Sequence, residues 1–110
     1  MKKDDTVFLR HILDAVKWID EYTHGMDYDG FRATHLVQDG VIRQLEIIGE
    51  ATRNLSKEFR DKYADIPWKD MAGMRDKLIH QYFGVDIAAV WDTIQADIPG
   101  LNGSVTKILE

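Results

Sequence analysis

Apolar positions in the N-terminal part of the chain recur every three or four residues, which is the spacing of one face of an α-helix. Between Asp5 and Thr23 this stripe consists of Phe8, Ile12, Ala15, Ile19 and Tyr22. Asp4 or Asp5 can cap the start of the helix, and the polar, glycine-containing segment 23–30 ends it. The pattern therefore predicts a first amphipathic helix over residues 5–23.

A second and longer stripe predicts a helix that begins at Phe31 or Thr34 and ends at Phe59. Its apolar side again steps by four and three residues, through Val37, Val41, Leu45, Ile48, Thr52, Leu55 and Phe59. Gly40 and Gly49 lie inside it, although each costs about 1 kcal/mol relative to alanine in a helix interior. We therefore expect another helix to approach closely at these glycines. The outer face is predicted to be solvated and ion-paired, and carries Arg43, Glu46, Glu50, Arg53 and Lys57.

The C-terminal half contains two further stripes and a short third one. Pro67 fits the first turn of a helix with Trp68, Met71, Met74 and Leu78 on its apolar side, and Gly84 is a left-handed stop. Asp86 is predicted to cap the next helix, whose buried face contains Ile87, Val90, Trp91, Ile94 and Ile98. Residues 101–108 predict a short final helix or a continuation kinked at Pro99.

The repeated helical period and the absence of any segment with strand period predict an all-α fold. Short connections favour antiparallel neighbours, so we expect an antiparallel bundle of four helices plus a short C-terminal fifth helix. With 110 residues, 45% of them hydrophobic, residues 1–110 are expected to form a single domain.

Charge and composition narrow the functional classes. The absence of cysteine excludes disulfides, thiolate metal sites and cysteine nucleophiles. No apolar run approaches the roughly 20 residues of a membrane span, and the N-terminus has no signal-peptide core, so a cytoplasmic protein without membrane contact is expected. The net charge of −5 argues against a general nucleic-acid coat protein. Residues 41–80, however, carry eight Lys and Arg against seven Asp and Glu, so this is the only third that is not acidic.

Within that third, the run from Met74 to Tyr82 combines an arginine, a histidine and a tyrosine. Cleavage of an RNA phosphodiester needs a group that moves a proton and a cation that stabilises charge on phosphorus. His80 titrates near neutral pH, and Arg75 offers a permanently charged fork that suits phosphate oxygens. Asp76, four residues before His80, could orient its ring, and Tyr82 could contact phosphate or base. These residues predict a metal-independent RNA-cleaving site without a cofactor.

The spacing of this run leaves its geometry open. Arg75 and His80 are five residues apart, so an ideal helix separates them by roughly 140°. Either the helix loosens before His80, or the Arg75 side chain bends round, or two copies of the chain complement each other across a dimer. Gly73, seven residues before His80, is expected to leave open space on that side of the helix.

Each of these side chains also has an ordinary structural explanation. A surface arginine is usually solvated or ion-paired, a histidine near a helix C-terminus can interact with the helix dipole, and a tyrosine can form the edge of the core. Metal chemistry has less support, since His11, His24 and His35 are scattered and lack partners at metal-site spacing. The three tryptophans are predicted to be core or interface anchors.

The sequence resembles the HepT-like toxins, formerly the DUF86 family of HEPN-domain proteins. The resemblance rests on the continuous segment 66–86, on Val90-Trp91 and Ile98-Pro99, and on segments 47–51 and 8–12 near the N-terminus. It therefore extends along the whole chain.

This resemblance implies a HEPN fold, a homodimer and metal-independent endoribonuclease activity, with Arg75 and His80 as the catalytic pair of an Arg-x4-His motif. Asp76 then corresponds to the polar residue after the arginine, and Tyr82 to the tyrosine of the motif. Members of the family are encoded beside a nucleotidyltransferase antitoxin of the MntA type. The resemblance implies that this antitoxin silences the toxin by transferring AMP to Tyr82.

Two other functions remain compatible with the sequence. The chain could be a non-catalytic helical binding subunit of a nucleotidyltransferase complex, with the motif as an interface or nucleotide-phosphate site. It could also be a purely structural dimer, in which changes at Arg75 and His80 alter stability more than function. Ribonuclease activity of the isolated chain distinguishes the first of these from an enzyme.

Overall fold

The computed structural model describes residues 3–79 and 86–110, and the side chains of residues 4–73 and 86–110. All regular secondary structure within these ranges is helical, so the predicted all-α class is confirmed. The helices are α1 (Lys3–Thr23), α2 (Tyr28–Ala33), α3 (His35–Asn54), α4 (Lys57–Lys62), α5 (Trp68–Ile79), α6 (Ile87–Ala96) and α7 (Ile98–Leu109).

The first and third helices form the centre of the bundle. They are antiparallel, because Asp5 at the start of α1 contacts Ser56 just after α3, whereas Tyr22 near the end of α1 lies against Gly40 near the start of α3. Helix α3 also packs extensively against α5, and α1 packs against α7. Helices α5 and α7 are thus packed on the central pair formed by α3 and α1.

The apolar stripes predicted from the sequence form the core. The largest side chains that are fully buried come from α1, α2, α3, α6 and α7: Leu9, Ile12, Val16, Ile19, Phe31, Val41, Leu45, Ile48, Val90, Ile98 and Val105. Phe31, the buried residue of α2, joins this helix to α6 in the core. Its ring centroid lies 5.1 Å from that of Trp91 on α6. The hydrophobic period therefore identifies correctly which side of α1, α3, α6 and α7 is buried.

The close approach expected at Gly40 is confirmed. A Cβ atom placed on Gly40 would lie 3.1 and 3.2 Å from two carbon atoms of the Tyr22 ring, which is closer than ordinary van der Waals contact. Gly49 is buried in the same helix. Glycine at position 40 thus lets the aromatic ring of α1 lie directly on the backbone of α3.

The predicted helix that ends at Phe59 is wrong at its C-terminal end, because α3 stops at Asn54 and α4 begins at Lys57. Leu55 is extended, and the Oγ atom of Ser56 accepts a hydrogen bond from Phe59 N at 3.1 Å. A serine that caps a new helix competes with continuation of the old one. The apolar period continues across this break, and for that reason the break was not predicted. Helix α2 was not predicted either, and Asp27 caps it through Gly30 N.

The proposed N-cap at Asp4 or Asp5 is also wrong, because α1 begins at Lys3 and contains both residues. Helix α1 already includes Asp5, whose side chain is buried and accepts hydrogen bonds from Ser56 instead of from the first turn of its own helix. Asp86, in contrast, caps α6 as predicted, with its Oδ1 atom 3.1 Å from Ala89 N.

The chain does not continue through Pro99 as one kinked helix. Helix α6 ends at Ala96, and α7 starts at Ile98 with Pro99 in its first turn, where a missing N–H is tolerated. Ile98 therefore belongs to α7, which at 12 residues is longer than expected. Across residues 3–79 and 86–110, none of the helices has both the length and the apolar character required to cross a bilayer.

Candidate active site

Helix α5 carries the first two residues of the predicted site. Its N-terminal turn is anchored by Trp68, a buried residue whose indole Nε1 donates to the carbonyl oxygen of Tyr63 at 3.0 Å. The Trp68 ring also lies 5.7 Å from the ring of Phe59 on α4, measured between centroids. Met71 is buried one turn later. Trp68 and Met71 thus hold the start of α5 against the core, next to the C-terminal end of α3.

Arg75 and Asp76 lie in the C-terminal half of α5, which confirms only that these two positions are helical. The side chains of residues 74–79, and with them the predicted stripe positions Met74 and Leu78, are not among those that the structure describes. His80, Tyr82 and the predicted stop at Gly84 lie outside the described residues. The distance between Arg75 and His80, and the roles of all four site residues, therefore stay predictions.

The open space expected on the His80 side of α5 stays a prediction, because His80 lies outside the described residues. Gly73 is exposed, and no described heavy atom lies within 4 Å of the position that a Cβ atom would occupy there. Gly73 is one of the residues that line a groove between α5, α6 and α7.

One cation lies next to this part of α5, on the face of α3 that is predicted to be solvated and ion-paired. Arg53, on α3, donates a hydrogen bond from Nε to the carbonyl oxygen of Ala72 on α5, with a distance of 3.4 Å. Ala72 begins the helical turn that contains Arg75 and Asp76. Arg53 directly follows the fully buried Thr52, and this position at the border of a buried stripe is the signal that could have indicated contact with a neighbouring helix.

A groove between α1 and α3 opens beside Arg53, and we call it the α1/α3 groove. Its volume is about 440 Å³, and its lining residues are Phe8, His11, Arg43, Glu46, Ile47, Glu50, Ala51, Arg53 and Asn54. One of its ion pairs joins Arg43 Nη1 and Glu46 Oε2 at 3.5 Å, as the helical spacing predicts. The groove thus presents both guanidinium and carboxylate groups, together with one imidazole.

A larger groove of about 730 Å³ lies between α5, α6 and α7. Its charged lining residues are Asp65, Lys69, Asp70 and Asp97. With three carboxylates and one ammonium group, this surface repels phosphate. Of the two grooves, the α1/α3 groove is therefore the better match for a polyanion.

Metal ligands are not grouped in the described part of the chain. Among residues 3–79 and 86–110, no three His, Asp or Glu side chains lie close enough together to hold a metal ion.

Comparison with known proteins gives consistent matches. The profile of the ribonuclease HepT-like family matches residues 12–108. The chain is 49% identical over 110 residues to a gamma-glutamylcyclotransferase and candidate RNase of Methanocaldococcus jannaschii, and it covers 50% of that protein. It is 46% identical over 103 residues to a candidate RNase of Caldanaerobacter subterraneus subsp. tengcongensis, with 94% of this chain and 92% of that protein covered. A probable ribonuclease HepT of Thermococcus cleftensis is 44% identical over 108 residues, with 98% of both chains covered. No solved structure matches the chain significantly.

Fold and site together define an all-helical domain with an arginine and an aspartate on one helix and an open backbone turn beside them. The chain belongs to the ribonuclease HepT-like family, as the resemblance indicated. Its enzyme class is that of an endoribonuclease, a hydrolase that acts on RNA phosphodiester bonds. The chain spans about half the length of the M. jannaschii relative and nearly all of the other two.

Proposed function

We propose that the protein is the toxin component of a toxin–antitoxin module and cleaves RNA without a metal ion. The observation that supports this function best is the helical position of Arg75 and Asp76, which lie two and three residues after the exposed Gly73. Membership in the ribonuclease HepT-like family adds the substrate class.

In the proposed reaction, a ribose 2′-hydroxyl attacks the neighbouring phosphorus and the 5′-oxygen leaves. His80 accepts or delivers the proton that this exchange requires, because an imidazole titrates near neutral pH. Arg75 binds the phosphate oxygens and stabilises their additional charge in the transition state. Asp76 orients the imidazole of His80, and Tyr82 contacts a phosphate or a base.

The five-residue spacing favours a site that two chains complete. An ideal helix would separate Arg75 and His80 by roughly 140°, so one chain does not place both side chains on one face. In a homodimer, Arg75 of one chain serves His80 of the other, and the RNA binds in the cleft between them. This arrangement predicts that an Arg75→Ala chain and a His80→Ala chain, each inactive alone, recover activity when mixed.

Regulation would come from an MntA-type nucleotidyltransferase that transfers AMP to Tyr82. The added phosphate places negative charge beside the arginine that otherwise binds RNA, and the bulky nucleotide blocks access to it. The same residue therefore serves the active site and its control.

Cleavage of a structured RNA in EDTA tests this function. We expect the wild type to cleave, His80→Ala to be inactive and His24→Ala, which changes an exposed histidine outside the motif, to retain activity. Equal rates for wild type and His80→Ala, or activity that requires a metal, would contradict the mechanism. Complete absence of cleavage by the wild type would favour the non-catalytic subunit of a nucleotidyltransferase complex.

A further inference from the structure

The α1/α3 groove has the dimensions and the chemistry of a nucleotide site. Its volume of about 440 Å³ lies within the range of roughly 300–1,000 Å³ that small-molecule sites occupy. The antiparallel arrangement of α1 and α3 brings the N-terminal half of α1 beside the C-terminal half of α3, so the two walls come from residues more than thirty positions apart.

The α1 wall offers an aromatic surface. His11 is exposed, and its ring lies edge-on to Phe8, with centroids 6.0 Å apart and an angle of 81° between the ring planes. Histidine is one of the side chains on which unstacked RNA bases stack. The contact with Phe8 holds the exposed His11 ring at the wall of the groove.

The α3 wall offers groups that suit a phosphate. A guanidinium has five N–H donors in a planar fork and can therefore contact several acceptors at once, and Arg53 already donates from Nε to the carbonyl oxygen of Ala72. The neighbouring Asn54 lines the groove as well and uses its Nδ2 atom to donate to Glu50 O at 2.8 Å. Arg53 thus connects the groove to the turn of α5 that contains Arg75.

The positive and negative charges that line the groove cancel. RNA can therefore bind there, but electrostatic attraction does not make the binding strong. Arg43 and Arg53 are matched by Glu46 and Glu50, so the lining is neutral apart from His11. On a protein with a net charge of −5, a neutral groove is more favourable for RNA than the larger groove with its three aspartates. We therefore expect recognition to depend on stacking and on a specific phosphate contact.

We propose that the α1/α3 groove binds one nucleotide of a single-stranded RNA beside the cleaved phosphodiester, with its base on His11 and its phosphate on Arg53. A single strand is required because bases inside an A-form duplex remain paired and stacked and cannot reach the imidazole. The position of this nucleotide relative to the cleaved phosphodiester rests on the proposed function, whereas binding of RNA in the groove does not.

The test uses the otherwise intact His80→Ala protein, so that RNA is not consumed, and measures its affinity for a labelled single strand and for a duplex of the same length. Arg53→Gln is expected to weaken single-strand binding roughly 5- to 100-fold, as loss of a charged hydrogen bond does. It should also reduce the salt slope by about 0.7, the contribution of one phosphate contact. Lys57→Gln, an exposed cation on α4 outside the groove, is the matched control.

For the base contact, His11→Ala is expected to weaken single-strand binding roughly 5- to 100-fold, and His11→Phe is expected to restore it because it keeps an aromatic ring. His24→Ala is the control for loss of an exposed histidine. Thermal unfolding of each variant distinguishes loss of binding from loss of folding, and Arg53→Lys retains the charge if Arg53→Gln does not fold.

The outcomes separate this proposal from the proposed function. If wild-type protein does not cleave RNA but binding depends on His11 and Arg53, the groove proposal stands and the nuclease proposal falls. If wild-type protein cleaves and neither variant changes affinity or salt slope, the groove proposal is overturned. Equal losses for single strand and duplex would exclude base stacking. Unchanged RNA binding combined with lost binding of the nucleotidyltransferase would mean that the groove holds a protein instead.

Discussion

The carboxylate of Asp5 accepts two hydrogen bonds from Ser56, one from its backbone N at 2.7 Å and one from its Oγ at 2.8 Å, across 51 residues of sequence. Asp5 is only 2% exposed, which is unusual for an aspartate and is explained by these two donors. Because Ser56 also caps α4, the start of α1 and the start of α4 are held at one point. This contact fixes the end of α3 beside which α5 begins.

Loss of this contact is expected to destabilise the fold. Asp5→Ala leaves donors of Ser56 without their acceptor and should lower the free energy of unfolding by about 1–3 kcal/mol. Ser56→Ala should cost about 0.5–2 kcal/mol, because it removes an N-cap as well. Urea unfolding of both single variants and the double variant measures their coupling. Asp4→Ala, an exposed neighbour, is the control, and strictly additive effects would contradict the contact.

The Tyr22 ring is expected to leave too little room for a side chain at position 40. Alanine normally gains about 1 kcal/mol over glycine inside a helix, but a methyl group here would lie 3.1 Å from the ring. Gly40→Ala should therefore give no increase in the free energy of unfolding. Gly103→Ala in α7 is the matched control, since no described atom lies within 4 Å of its Cβ position, and it should be stabilising. Equal gains at both positions would show that Tyr22 adapts without cost.

Substitutions at Gly73 are expected to affect the stability of the protein and its activity differently. A Cβ atom there meets open space among the described residues, so Gly73→Ala should raise the free energy of unfolding by up to about 1 kcal/mol. A larger side chain would crowd the turn that carries Arg75 and Asp76 and shift their positions, so Gly73→Leu should lower kcat/KM for RNA cleavage roughly 10- to 100-fold without unfolding the protein. Gly103→Leu serves as the control. Unchanged cleavage by Gly73→Leu would show that Arg75 and Asp76 keep their positions.

Tyr82 is expected to accept AMP when the protein is co-expressed with its nucleotidyltransferase. Intact-mass measurement should detect added AMP on the wild type, and growth arrest on expression should then disappear. Tyr82→Phe keeps the ring but has no hydroxyl, so it should stay unmodified and escape silencing. Detection of AMP on the Tyr82→Phe variant would show that another residue is the acceptor. Tyr28→Phe is the control for a general effect of removing a phenol.

The helices could be predicted from the sequence because a buried helix face has an apolar residue at every third or fourth position. The buried positions Ile12, Leu45 and Ile48 were identified in this way. The same signal failed at Ser56, because Leu55 and Phe59 continue the apolar period although the chain there ends one helix and begins another. A periodic pattern reports which side is buried, and not whether the backbone is continuous.

For the run opened by Met74, the sequence by itself determined the residue types, their spacing and the chemistry that an arginine and a histidine can perform. Only the tertiary structure decided that Arg53 lies against the turn that contains Arg75, and that the α1/α3 groove opens beside it. These relationships join side chains from helices that are distant in sequence. Their distances depend on how the helices pack, and packing depends on the shapes of many buried side chains at once.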